Sequence, residues 1–251
     1  MIDNFVKHHT GCDYQRLFES INAERILLRD QRATDVTQKR YYAIRHDVDD
    51  DWPNARKMAK WEAERGLLAT YYLLASRRYF DYSPAFLSEV KEVEDLGHEI
   101  GFHNDALIQW AYSDKKVDVR EAIEKPLRML RSAGVTVVGT AAHGDQICRD
   151  LGFNSFEVWT ENPKALKNPS LDIPRFSLSE FDLEYEAYWQ KRTAYLSDNH
   201  GGWSGGFGKE IPAHEVIGTF LNEREKILAG FHSLDYGMLQ VLIHPQHWMP
   251  K

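Results

Sequence analysis

Residues 41–49 read Tyr-Tyr-Ala-Ile-Arg-His-Asp-Val-Asp, an apolar run that leads directly into two aspartates. A short apolar run bounded by polar residues predicts a buried strand. A helical pattern follows, from Pro53, where proline suits a first helical turn, to Gly66. A strand followed by a helix is the unit of parallel α/β folds, so this segment indicates the class of the whole chain.

The same unit recurs along the sequence, which predicts an α/β fold with a mainly parallel sheet and a (β/α)-barrel-like scaffold. Residues 1–40 are expected to cap a barrel spanning 41–248, so that 1–251 forms a single catalytic domain. A Gly-rich segment, 199–206, is expected to be a loop facing the substrate. The predicted strands are 41–44, 67–74, 98–103, 135–139 and 238–243, the predicted helices are 14–29, 53–66, 83–96, 117–132 and 213–229, and less regular apolar segments cover 156–159, 183–188 and 194–197.

Composition excludes several classes of protein. The chain has 251 residues, 43% of them hydrophobic, which is enough to bury a full core. A net charge of −7 argues against binding to nucleic acid. Two cysteines supply neither a disulfide framework nor a cysteine zinc site. No segment approaches the roughly 18–20 apolar residues of a membrane span, so we expect no membrane insertion and a cytoplasmic protein.

Polar residues collect where the predicted strands end. In parallel α/β folds, active sites lie at the carboxyl ends of the strands, and side chains two residues apart share a face. Several carboxylates in one small volume repel each other unless a divalent cation relieves the repulsion. A mixed oxygen and nitrogen ligand set suits zinc, although manganese, iron, cobalt and nickel remain open. The residues concerned are Asp47, Asp49, His103, Asp105, His143, Asp198 and His244.

Three motifs resemble the polysaccharide deacetylases (NodB-homology, carbohydrate esterase family 4), in particular a bacterial branch that begins with Arg-His-Asp-Val-Asp. They are 45–49, 96–103 (Leu-Gly-His-Glu-Ile-Gly-Phe-His) and 242–245 (Leu-Ile-His-Pro), in the family's order. The resemblance covers about residues 41–248. It implies a distorted (β/α) barrel with fewer than eight strands. It also implies a metal-dependent hydrolase that deacetylates an N-acylated sugar or related amide in bacterial surface-polysaccharide metabolism, using one divalent ion, with zinc expected.

Matched to the family residue by residue, Asp47 is the expected catalytic base, Asp49 and His103 are expected metal ligands, and His244 is the expected general acid. The family places a second metal histidine four residues after the first, and that position is Leu107. A third ligand must therefore come from elsewhere. Asp105 is favoured by its closeness to His103, whereas His143, a neutral imidazole on the next strand's loop, is favoured by its chemistry.

The substrate is expected to be a small molecule or an oligosaccharide, contacted by residues near the C-terminus and the Gly-rich segment. Packing explains several of these residues equally well. Arg45 is a candidate for a buried partner that keeps a carboxylate ionised, and His46 and His98 are expected to be structural. The candidate substrate-binding residues are Asp198, Trp203, His247 and Trp248.

Two other functions remain open. One is a glycoside hydrolase that uses two carboxylates and no metal. The other is a catalytically silent barrel that binds a glycan or a protein partner, for which Leu107 is the supporting feature.

Overall fold

The computed structural model describes residues 9–198, 203–207 and 223–249. None of the helices in these ranges is long and apolar enough to cross a lipid bilayer. The strands are β1 (His9–Thr10), β2 (Glu24–Arg25), β3 (Arg40–Val48), β4 (Thr70–Leu74), β5 (Glu99–Asn104), β6 (Val137–Ala142), β7 (Tyr185–Glu186), β8 (Ala194–Ser197), β9 (Ser204–Phe207), β10 (Gly237–Ile243) and β11 (Trp248–Met249). The α-helices are α1 (Gly11–Glu19), α2 (Trp52–Ala63), α3 (Pro84–Asp95), α4 (Ala106–Tyr112), α5 (Val119–Ser132), α6 (Gln146–Leu151) and α7 (Glu223–His232).

The main sheet has the order β7-β6-β5-β4-β3-β10-β8-β9, and β2 pairs with the start of β3. The seven strands from β7 to β8 run parallel, and β9 is antiparallel to β8. Within the described ranges the two end strands, β7 and β9, do not pair with each other. The sheet is therefore an incomplete barrel, which confirms the expected distorted (β/α) barrel. Fewer than eight strands were expected, and the sheet has seven parallel strands from β7 to β8 together with β9 and β2.

Capping residues mark the starts of the helices that follow the strands. Asp51 accepts a hydrogen bond from the Asn54 amide at the start of α2, and proline occupies the first turn. Ser83 caps α3 in the same way, again beside a proline. Asp118 accepts from two amides at the start of α5. These caps satisfy amides that would otherwise lack partners.

Side chains alternate between the two faces of β3. Tyr42 and Ile44 belong to the large apolar cluster between the sheet and the helices. Tyr41 and Ala43 belong to a smaller cluster on the other face, inside the barrel. Arg45 and Asp47 continue this second face. The strand thus directs its charged residues into the barrel.

A buried carboxylate joins the sheet to α2 on the helix side. Glu62 is fully buried, and it accepts hydrogen bonds from the hydroxyls of Tyr14 and Tyr71. His46 Nε2 lies 2.9 Å from Glu62 Oε1. His98 is also buried on this side, where its ring accepts from the Ala69 amide. His46 and His98 thus have the structural positions expected of them.

Some elements differ from the sequence-based expectations. The N-terminal helix is α1, which ends at Glu19, and a 3-10 helix over Leu28–Ala33 replaces the predicted continuation to 29. Helices α4 and α6 had no prediction, because each has at most seven residues and shows too little periodicity. The second half of the Gly-rich segment is strand β9, and its first half, 199–202, lies outside the described residues. So does 213–222 of the predicted last helix.

We expect Glu62→Ala to lower the free energy of unfolding by about 3–5 kcal/mol, because it leaves buried partners of a carboxylate unsatisfied. Glu64→Ala is the matched control, since its side chain is 72% exposed directly after the same helix, and it should change stability by less than about 0.5 kcal/mol. Urea unfolding measures both variants. Equal effects would contradict a stabilising role for the buried cluster.

Candidate active site

Four strand ends bring the predicted site residues together. Asp49 follows β3, His103 lies in β5, His143 follows β6 and His244 follows β10. The parallel register places Leu74 and Ala141 on either side of His103. These side chains therefore meet at the carboxyl edge of the sheet, where parallel α/β folds place active sites.

Three side chains form a candidate metal centre. His103 Nε2 lies 3.1 Å and His143 Nδ1 lies 3.2 Å from Asp49 Oδ1. The two imidazole nitrogens are 3.1 Å from each other. All three ligand atoms lie within 4.8 Å of one another. Two imidazoles and a carboxylate are a ligand set that suits zinc.

The hydrogen bonds of this trio fit a bound cation. His103 Nδ1 donates to the Ala141 carbonyl at 2.8 Å, which leaves Nε2 directed at Asp49. Asp49 Oδ1 is buried and accepts no hydrogen bond from any described residue, despite the two nearby imidazoles. Burial works against ionisation of Asp49, but His103 and His143 outweigh it and hold its pKa well below the usual value. Two imidazole nitrogens and a carboxylate oxygen that converge in this way are an arrangement that a divalent ion completes.

Asp47 has a different partner from Asp49. Arg45 Nε and Nη2 donate to its two carboxylate oxygens, each at 2.7 Å, and both residues are buried. His103 Nε2 lies 3.5 Å from Asp47 Oδ2, so this carboxylate borders the metal centre. Burial would raise the pKa of Asp47, but Arg45 and then His103 outweigh burial and leave the pKa lowered. Arg45 is thus the expected partner that keeps a carboxylate ionised.

His244 is held by a buried aspartate. Its Nδ1 lies 2.6 Å from Asp198 Oδ1, and its backbone amide donates to Oδ2 at 2.9 Å. Trp248 Nε1 donates to the same Oδ2, and His247 Nδ1 lies 3.3 Å from it. Burial lowers the pKa of His244, but Asp198 outweighs burial and raises it to about 9. His244 Nε2 lies 3.8 Å from Asp49 Oδ2, so a protonated imidazole borders the metal centre.

Asp105 is not one of the three residues whose ligand atoms converge, and it has a hydrogen-bond partner of its own. Strand β5 ends at Asn104, so alternation does not continue to Asp105, which precedes α4. Its carboxylate accepts a hydrogen bond from Gln109 Nε2 at 2.8 Å. Leu107 is fully buried in α4. His143, the second candidate, is the residue placed with Asp49 and His103.

The predicted substrate-binding residues differ in exposure. Asp198 and Trp248 are almost completely buried, so neither offers a surface to a sugar. Trp203 is 9% exposed, and its ring packs 5.9 Å from that of Trp248. His247 is partly exposed beside His244, with 5.3 Å between ring centroids.

Glu186 and Tyr188 had no prediction from the sequence, although Tyr188 packs on Arg45 and Glu186 binds the Tyr188 amide. Glu186 Oε1 accepts hydrogen bonds from the amides of Ala142 and Tyr188. The Tyr188 ring lies 5.0 Å from the Arg45 guanidinium carbon. The sequence signal for Glu186 was that a charged residue lies within the apolar run 183–188. A two-residue strand is too short, however, to show on which face of the sheet this side chain lies.

Comparisons with known proteins found similar folds at low sequence identity. A CE4 esterase from Streptococcus mutans has a TM-score of 0.49 and 13% identity, over 88% of this chain and 80% of that one. The chitin deacetylase of the fungal pathogen Colletotrichum lindemuthianum has a TM-score of 0.43 and 11% identity, over 89% and 78%. Peptidoglycan deacetylase PdaC from Bacillus subtilis, as a mutant, has a TM-score of 0.40 and 15% identity, over 84% and 77%. No family model matches the chain, and no curated protein matches it.

We expect the stability of the metal-free protein to fall as the pH rises toward about 9. In the folded protein the pKa of His244 lies above its usual 6.5. The stabilisation that the protonated imidazole contributes to the fold is therefore complete below about pH 6.5 and is lost as the pH rises through about 9. Asp198→Asn should remove this dependence, because Asp198 is the largest cause of the raised pKa. Urea unfolding from pH 6 to 10 tests it, with the exposed Asp182→Asn as control. If the stability of Asp198→Asn fell with pH as steeply as that of the wild type, the dependence could not be assigned to the Asp198–His244 pair.

Proposed function

We propose that this chain is a metal-dependent hydrolase that removes the acyl group from an N-acylated sugar or a related amide. The observation that carries the proposal is the convergence of Asp49, His103 and His143 beside two separately held proton-transfer groups, Asp47 and His244. The sugar part of the proposal is supported by the motifs at 45–49, 96–103 and 242–245. The same resemblance supports bacterial surface-polysaccharide metabolism as the setting.

Asp49, His103 and His143 would hold one divalent ion, for which zinc suits the ligand types. When bound, such an ion polarises an acyl carbonyl and makes a water molecule more acidic. Residues of the chain itself accept and supply the protons. Asp47 is ionised and oriented by Arg45, so it can accept a proton from the attacking water.

Amide hydrolysis also requires a proton for the leaving nitrogen. His244 can supply it, because Asp198 raises its pKa to about 9 and keeps the imidazole protonated near neutral pH. The Asp198 carboxylate binds Nδ1, which leaves Nε2 on the side of Asp49. We therefore assign Asp198 to orienting His244 rather than to contacting the sugar.

The metal-free glycoside hydrolase fits the same geometry poorly. That reaction needs one carboxyl group that stays protonated as a general acid. Asp47 and Asp49 both have lowered pKa values, so neither retains a proton near neutral pH. A silent barrel has no evident use for two proton-transfer groups with separate buried partners. An assay of acyl release from N-acetylated amino sugars, with and without a chelator, tests the proposed reaction directly.

Asp49→Ala and Asp47→Asn should separate metal binding from catalysis. Asp49→Ala should abolish zinc binding and activity, because it removes a ligand. Asp47→Asn should retain zinc and lose about 10²–10⁴-fold in turnover, as expected for loss of a general base. Zinc content and acetate release measure the two effects. Unchanged turnover in Asp47→Asn would contradict its role as base.

His143→Ala and Asp105→Ala should identify the third ligand. We expect His143→Ala to weaken zinc binding more than about 100-fold, because loss of even an outer partner of a metal ligand costs about 10–100-fold. Asp105→Ala should bind zinc like the wild type, since its carboxylate pairs with Gln109. Competition with a chromophoric chelator measures both affinities. The reverse order would transfer the ligand role to Asp105.

A further inference from the structure

We propose that Glu186 is a positioning residue that sets the places of both His143 and the Arg45–Asp47 pair through one buried oxygen. The inference rests on the proposed function, since it concerns the third ligand and the base of that site. Glu186 lies in β7 and is 1% exposed. The two amides that it binds belong to Ala142 and Tyr188, so its effect on the ligand and the base passes through these neighbouring residues.

The first of these effects concerns the end of β6. Strand β7 is only two residues long, and its pairing with β6 ends at Thr140 and Glu186. The Glu186 side chain then continues the pairing, because Oε1 accepts from the Ala142 amide at 3.1 Å. The bond thus anchors the backbone immediately before His143.

The His143 backbone is held on its other sides as well. Its amide donates to the Asn104 carbonyl at 2.9 Å, and its carbonyl accepts from Ser155 Oγ at 2.7 Å. With Glu186 at the Ala142 amide, three backbone groups at and immediately before His143 have fixed partners. A ligand that lies on a loop requires this support, because small displacements of ligand atoms weaken a metal site.

The second effect concerns the base. The same Oε1 lies 3.3 Å from the Tyr188 amide, which is at the turn that follows β7. The Tyr188 ring covers the Arg45 guanidinium, and Arg45 binds both oxygens of Asp47. Glu186 Oε1 therefore holds two places at once. It fixes the segment that carries the Tyr188 ring over Arg45, and it fixes the backbone immediately before His143.

The role does not require a charge. Both N–H donors use Oε1, and neither of them uses Oε2. Burial raises the pKa of Glu186 to about 7, against the opposing effect of Arg45, and a proton on Oε2 leaves both bonds intact. A glutamine, which keeps the carbonyl oxygen, should therefore replace the glutamate, whereas alanine should not.

The test compares the zinc affinity of Glu186→Ala, Glu186→Gln and the matched control Glu184→Ala, whose side chain is 61% exposed on the same segment. We expect Glu186→Ala to lose about 10–100-fold in affinity. The zinc affinity of Glu186→Gln should stay within about threefold of that of the wild type. Glu184→Ala should bind zinc as tightly as the wild type does. An unchanged affinity in Glu186→Ala, or an equal loss in Glu186→Gln, would overturn the proposal.

Two further measurements keep the test decisive. If Glu186→Ala does not fold, Glu186→Asp replaces it, because the shorter side chain keeps the charge but does not reach both amides. If the wild type binds no zinc, the proposed function fails, and amide hydrogen exchange at 142 and 188 still decides the positioning role. Exchange should be faster in Glu186→Ala than in Glu186→Gln. Equal exchange in the two variants would refute the role of Glu186.

Discussion

Burial of the Arg45–Asp47 ion pair inside the barrel is the interaction on which the rest of the site depends. The residues are two positions apart on β3, so alternation brings both to the inner face. Two buried charges are tolerable only when each is well paired, and both oxygens of Asp47 are bound by Arg45. The rings of Tyr72 and Tyr188 cover the guanidinium at 5.3 and 5.0 Å and shield the pair.

The ring of Tyr72 and that of its neighbour Tyr185 need space inside the barrel, which two glycines provide. A Cβ at Gly101 would lie 2.4 Å from the Tyr72 ring, and one at Gly139 would lie 2.3 Å from the Tyr185 ring. Below the ion pair, Tyr72 donates to Tyr185, and Tyr185 donates to the buried carboxylate of Glu99. The barrel interior is therefore a polar column whose members satisfy one another, and replacing one residue leaves a neighbour without its partner.

Sequence patterns predicted the parts of this arrangement that depend on local geometry. Alternation along β3 gave the shared inner face of Arg45 and Asp47, and strand order placed Asp49, His103 and His244 at one edge. The argument for Asp105 assumed that β5 continues beyond Asn104, where the strand in fact ends. The sequence placed His143 after the fourth predicted strand and made it a candidate ligand, but Glu186 depends on contacts between β6, β7 and the loops after them, about which periodicity within a segment carries no information.

The two groups proposed for proton transfer, Asp47 and His244, have opposite charges because each has its own partner. Arg45 keeps Asp47 ionised, and Asp198 keeps His244 protonated. Since Asp198 also binds the Trp248 indole and the His244 amide, the imidazole is oriented as well as charged. Asp49 lies between these pairs, 3.8 Å from His244 Nε2 and 3.1 Å from His103 Nε2. A cation at Asp49 is attracted by Asp47 and repelled by a protonated His244, so proton transfer from His244 would relieve a repulsion that metal binding creates.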